Sequence, residues 1–165
     1  MKSYEERKKI VHYILFEQPG LLYDTPIKEG TLKNRVIEGC CTGYTFGMGN
    51  LSYRGIWIST IEDLKLIVDG EPVPKENMML CLNNVKYPIE SLVRHSEIFW
   101  GATDRCVLSV NRIGGLTAGE HTLELEVLKR QDFGHSYGEA EEGYEEAHEL
   151  KTPELIKYKT VCTVA

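Results

Sequence analysis

Residues 51–84, LSYRGIWISTIEDLKLIVDGEPVPKENMMLCLNN, form short runs of alternating side chains broken by turn residues, and that pattern confines the chain to successive short strands. Leu64, Leu66 and Val68 alternate with Lys65, Ile67 and Asp69, after which Asp69-Gly70 supplies the tolerance of positive φ that a tight reversal needs. Pro72 and Pro74 cannot donate to a ladder, so residues 71–74 read as an edge or a connection. Met78, Leu80 and Leu82 then resume the two-residue period.

The same reasoning extends to both sides. Residues 33–38 and 44–60 are strand-like, with glycines at 39, 43, 47, 49 and 55 as turns or bulges. Asn83-Asn84 and Pro88 surround a turn, and residues 89–95 fit one helical turn or a short strand. Cys106, Leu108 and Val110 share one face of a strand, Val107 and Ser109 the other. The clearest strand is 121–128, where Leu123, Leu125 and Val127 oppose Thr122, Glu124 and Glu126, as one packed and one wet face require. Residues 155–164 read as a closing strand, with Ile156, Tyr158, Cys162 and Val164 in step.

Two segments differ. Ser3 and Glu6 have capping-box spacing before Ile10, Val11, Ile14 and Leu15, so residues 4–17 read as an amphipathic helix ended by Pro19 and Gly20. Residues 132–151 intersperse Gly134, Gly138 and Gly143 with glutamates, a composition that reads as a long acidic loop, with Tyr137, Tyr144 and His135 or His148 able to meet a partner. The expected organisation is a helical extension over 1–25 and an all-β, mainly antiparallel β-sandwich over 26–165.

Bulk properties exclude several function classes. The net charge of −6 argues against nucleic acid, and no run approaches the roughly 20 apolar residues of a membrane span. Residues 1–18 lack a signal peptide's order of basic tip and apolar middle, so the expected compartment is the cytoplasm. Five cysteines, with no CxxC pair, suggest free buried thiols. The histidines at 12, 95, 121, 135 and 148 show neither HxH nor HExxH spacing, so no metal site is expected, and His121 reads as a turn or core residue. The stretch GYTFGMGN lacks GxGxxG order and a Walker lysine, and no spacing selects a catalytic triad or carboxylate pair.

What remains is aromatic. Tyr53, Arg54 and Trp57 lie together, and Phe99-Trp100 precede a strand. Two readings stand: Trp57 in the core with Arg54 an ordinary surface charge, or the group as an interface anchor, since Trp, Tyr and Arg dominate binding hot spots.

Residues 50–74, NLSYRGIWISTIEDLKLIVDGEPVP, followed by GGLTAGEHTLELEV, resemble the small β subunit of bacterial C-glycoside deglycosidases over about residues 31–130. The resemblance rests on Tyr53-Arg54-Gly55, Ile61-Glu62-Asp63-Leu64, Val68-Asp69-Gly70-Glu71 and Ala118-Gly119-Glu120-His121 in that order. It implies a non-catalytic member of a hetero-oligomer, with no cofactor of its own, beside a larger TIM-barrel catalytic α subunit holding a divalent metal, commonly manganese. The implied reaction cleaves the carbon-carbon bond between a 3-oxo-sugar and a flavonoid-type aglycone, after a separate sugar oxidoreductase has made the ketone. Tyr53, Arg54, Trp57, His135, Tyr137 and Tyr144 are the candidates for the partner interface or cleft rim. The competing expectations are a standalone carbohydrate-binding β-sandwich, with Trp57 or Trp100 as stacking platforms, and a small standalone hydrolase, which the missing motifs disfavour.

Overall fold

A computed structural model describes residues 13–15, 25–52, 55–130 and 154–165. Its strands are, in chain order, β1 (Tyr13–Leu15), β2 (Lys33–Ile37), β3 (Cys40–Met48), β4 (Ile56–Trp57), β5 (Ile61–Val68), β6 (Glu71–Pro72), β7 (Met78–Leu82), β8 (Val85–Pro88), β9 (Phe99–Trp100), β10 (Cys106–Asn111), β11 (Gly119–Lys129) and β12 (Glu154–Val164). Two five-stranded sheets, ordered β1-β12-β11-β5-β6 and β2-β3-β10-β7-β8, enclose one apolar core, and β4 and β9 form a separate ribbon. This is the all-β, largely antiparallel architecture that the alternation predicts. Residues 89–94, which the pattern left between a helical turn and a strand, form a 3-10 helix.

Alternation fixes which side of each strand faces inward. Leu125 of β11 lies opposite Leu66 on one side and Tyr158 on the other, and in the facing sheet Leu108 lies between Phe46 and Leu80. Leu66, Leu125, Phe46, Leu108 and Leu80 are each at most 1% exposed, so these two rows form the centre of the sandwich. Burying each such side chain contributes about 1.5 to 3 kcal/mol before entropy, and a one-residue slip would turn every one of them to water. Tyr44, on the same inward face, has its phenol pKa pushed up to about 12 by burial.

Tight reversals pin the register. Glu38-Gly39, Asp69-Gly70 and Asn83-Asn84 each place two residues at positive φ between paired strands, the geometry that matches the right-handed twist of a hairpin. Pro72 lies on the edge strand β6, where its missing N–H is harmless. Gly43 lies beside the bulge opposite Arg35, whereas Gly47 corrects the sequence reading, since it lies inside β3 opposite Val107, in neither a turn nor a bulge.

The ends of the chain differ more. Where the pattern predicts helix, Tyr13–Leu15 form a strand parallel to the start of β12; a short helix is marginal alone, whereas a sheet edge offers unpaired N–H and C=O groups. The rest of the expected helix and the acidic loop at 132–151 lie outside the described residues. No helix among the described residues is long and apolar enough to cross a membrane.

Several polar contacts join the Asp69 turn to β11. His121 is 7% exposed, with Nδ1 at 2.6 Å from Asp69 Oδ2 and Nε2 at 2.7 Å from the Thr117 carbonyl oxygen. Both ring nitrogens face acceptors, which only the doubly protonated ring satisfies. The Asp69 bond, then the Thr117 carbonyl, raise the His121 pKa, and the same His121 bond, with the Thr122 amide, lowers that of Asp69. The His121 contribution is complete below its unfolded pKa of about 6.5 and fades as pH rises through the raised folded value. The Asp69 contribution is complete above about 3.9 and fades as pH falls through the lowered folded value.

The pair is therefore strongest between about pH 4 and pH 6.5. Asp69→Asn, which keeps a side chain tolerant of left-handed φ, should melt below the wild type by a gap that is widest in this window and narrows above neutral pH. Thermal melting across pH 4 to 9 checks this, and a constant gap would contradict it. In the core, Leu108→Ala should cost about 2 to 5 kcal/mol in denaturant unfolding.

Candidate functional site

Two surface features stand out: an aromatic ridge on the β4/β9 ribbon and a basic hollow on the outer face of the β2-β3-β10-β7-β8 sheet.

The ridge follows from strand parity. Ile56 pairs with Trp100 and both point inward at 0% and 1% exposure, so their neighbours Trp57 and Phe99, also paired, point outward. Trp57 is 40% and Phe99 43% exposed, with ring centroids 5.0 Å apart at 63°, an edge-to-face contact. Trp57 is thus not a core residue; Trp100 takes that place. The ribbon beneath is braced. Buried Asn50 donates through Nδ2 to the carbonyls of Trp100 and Gly101 at 3.0 and 3.2 Å and accepts from the Ser52 amide at 3.0 Å. Gly55, at φ +89°, passes so close that a Cβ would stand 2.5 Å from the Trp100 carbonyl oxygen and 2.8 Å from Phe99 Cζ.

After Trp57 the chain is clamped again. The Thr60 hydroxyl donates to the Trp57 carbonyl at 2.7 Å, and Arg130 donates to the Ser59 carbonyl at 2.6 Å while pairing with the buried Glu62 carboxylate at 3.4 Å. Two exposed aromatic rings on a backbone held at this many points form a preorganised apolar surface. Of the other residues singled out from the sequence, Tyr53, Arg54, His135, Tyr137 and Tyr144 lie outside the described residues.

The hollow was missed in the sequence. Most outward residues of its inner strands are short, with Gly43, Thr45 and Gly47 on β3, Val107 and Ser109 on β10 and Cys81 on β7, Met79 of β7 being the exception, whereas the flanking strands β2 and β8 carry Lys33, Arg35 and Lys86. Long side chains around short ones leave a cavity of about 300 Å³, which Arg105 also lines. It adjoins a second of about 520 Å³ that shares Lys33, Thr45, Arg105 and Val107. The signal available in the sequence was the alternation Gly43-x-Thr45-x-Gly47 on a strand with bulky Tyr44, Phe46 and Met48 on its other face.

Arg35 is seated across this floor. Its Nε donates to Thr42 Oγ1 at 2.9 Å, one terminal nitrogen to Ser109 Oγ, and the other to Asn111 Oδ1 at 2.6 Å and the Thr42 carbonyl at 3.2 Å. Gly43 is demanded by the backbone, since a Cβ there would clash with the Val110 carbonyl oxygen, and the guanidinium lies 3.0 Å from the same position. Cys81 shares the hollow, but burial raises its thiol pKa more than Lys86 and Arg35 lower it, so it is no activated nucleophile. All five cysteines are free thiols, but only Cys106 and Cys162 are buried; Cys41 and Cys81 are half-buried and Cys40 is exposed, against the expectation of buried thiols. No group of three or more His, Cys, Asp or Glu among the described residues is placed to hold a metal ion.

Residues 22–133, which contain both features, match the sequence model of the family described as C-glycoside deglycosidase beta subunit. A protein of Eubacterium cellulosolvens with that name is 31% identical over 87 residues, covering 53% of this chain and 59% of the relative. One of Arthrobacter globiformis, named likewise, is 31% identical over 78 residues, covering 46% and 57%. The chain thus spans somewhat more than half the length of each of these relatives. A family match over most of the chain, on a strand framework that carries it, places this protein in the C-glycoside deglycosidase beta subunit family.

Proposed function

We propose that this chain is the small, β subunit of a hetero-oligomeric C-glycoside deglycosidase, and that it supports a larger catalytic subunit by docking through the Trp57–Phe99 ridge. The observation that carries this reading is the outward-facing, braced aromatic pair inside the family-matched segment. Exposed aromatics normally cost solubility unless a partner covers them, and rigid aromatic anchors lose little entropy on docking.

In this reading the assembly works in the cytoplasm on C-glycosides of flavonoid type. A separate oxidoreductase first turns the sugar 3-hydroxyl into a ketone, which acidifies the C2 proton. A base of the larger, barrel-shaped subunit removes that proton, and the carbon-carbon bond to the aglycone breaks as the aglycone carbon is protonated. The divalent metal, manganese by the family resemblance, belongs to the larger subunit; the described residues of this chain do not assemble a ligand set for it.

Co-assembly measures the proposal. Trp57→Ala and Phe99→Ala should each weaken association with the catalytic subunit by about 30-fold or more, the scale of an interface hot spot, whereas Val161→Ala on the exposed face of β12 should not. Equal turnover of 3-oxo-C-glycosides by the catalytic subunit alone would remove the supporting role. Saturable binding of free glycosides by the isolated chain would instead favour a standalone carbohydrate-binding module.

A further inference from the structure

The two sheets treat their surface cations in opposite ways. On the outer face of the β12-β11-β5 sheet, Lys157 and Lys159 lie 3.7 and 2.8 Å from Glu126 and Glu124, an ordinary ladder of compensated charge. On the other sheet, Lys33, Arg35, Lys86 and Arg105 line one hollow whose own wall contains no Asp or Glu; Asp104, which lines the adjoining cavity with Lys33 and Arg105, accepts from the Gly101 amide at 2.8 Å. Among the described residues, none of the four has a carboxylate within ion-pair distance. In a chain of net charge −6, four uncompensated positive charges around one concavity are an electrostatic arrangement in search of an anion.

The seat of Arg35 sharpens this. A structural arginine is commonly held by a carboxylate, which cancels its charge; here four hydrogen bonds go to neutral oxygens, so the guanidinium is fixed yet keeps its charge, with one of its five N–H groups uncommitted. The Thr45 hydroxyl adds a neutral donor beside it, and Val107 supplies apolar floor.

We propose that this hollow binds the oxyanion group, phosphate or carboxylate, of a small molecule of about monosaccharide size. The volume of about 300 Å³ lies at the lower end for small-molecule sites, and charged groups converging over a partly apolar floor suit a ligand with one anionic end. Fixed Arg35 anchors the oxyanion, while Lys33, Lys86 and Arg105 close over it as mobile cations. The proposal concerns this chain alone and is independent of how it docks to a catalytic subunit.

Isothermal titration of the full chain at low ionic strength tests it, with inorganic phosphate, glucose 6-phosphate and glucuronate as probes and glucose as the neutral control. Saturable binding of at least one oxyanion, weakened by salt and absent for glucose, is expected, and comparing the phosphate and glucuronate arms identifies the group preferred. Among the described residues the side chains of Lys86 and Arg105 make no hydrogen bond or ion pair, so Lys86→Gln and Arg105→Gln should fold as the wild type does and each weaken binding about tenfold. No saturable binding by any of the three anions, glucose binding as well as they do, or unchanged affinity in both variants would overturn the proposal. So would loss of catalytic-subunit assembly in these variants when the wild-type chain takes up none of the anions, which would assign the cations to a protein interface.

Discussion

The packing of two rows of side chains against each other, Phe46-Leu108-Leu80 in one sheet and Tyr158-Leu125-Leu66 in the other, is the constraint from which the surface features follow. A strand has two faces, so burying one set of residues dictates which set meets solvent. The core therefore decides more than stability. Because Tyr44, Phe46 and Met48 must point inward, Gly43, Thr45 and Gly47 must point outward, and the outer face acquires a floor of small residues. Likewise, Ile56 and Trp100 turn in and leave Trp57 and Phe99 to form the ridge.

Polar contacts finish what burial begins. Three two-residue reversals fix the hairpins, and His121 joins the Asp69 reversal to the strand beyond it. The Asn34 side-chain amide imitates a strand neighbour, donating to the Leu116 carbonyl at 2.8 Å and accepting from the Leu116 amide at 2.9 Å, so that edge strand β2 is tied to the connection between β10 and β11. Gly115, at φ +63° with Asn34 Oδ1 2.4 Å from where a Cβ would lie, is the residue that permits this approach. The hollow thus has firm walls on the β2 side, where Arg35 is also seated.

Ridge and hollow suit different partners for physical reasons. The ridge presents two rings on braced backbone, convex and apolar, the form of an anchor that enters another protein's pocket. The hollow is concave, cationic and floored by small side chains, the form of a receptor for a small charged group. Both lie within the segment that defines the family, whereas the acidic residues between 132 and 151 lie beyond it.

Local alternation in the sequence determined the strands themselves: the inward sets of β5, β7, β10, β11 and β12, the edge character of the Pro72 segment and the reversal at Asp69-Gly70 were all readable from a period of two and the chemistry of glycine and proline. The aromatic cluster was visible too, but its orientation was not, because β4 is two residues long and so short a strand has no period to read. The hollow was hidden for a different reason. Lys33, Lys86 and Arg105 come from distant parts of the chain and share a face only because β10 pairs with both β3 and β7, a non-local choice made by burying Leu108 between Phe46 and Leu80. Sequence set each strand's two faces; tertiary pairing alone decided which faces became neighbours, since that choice is made by the apolar area buried between sheets and not by any residue's own conformational preference.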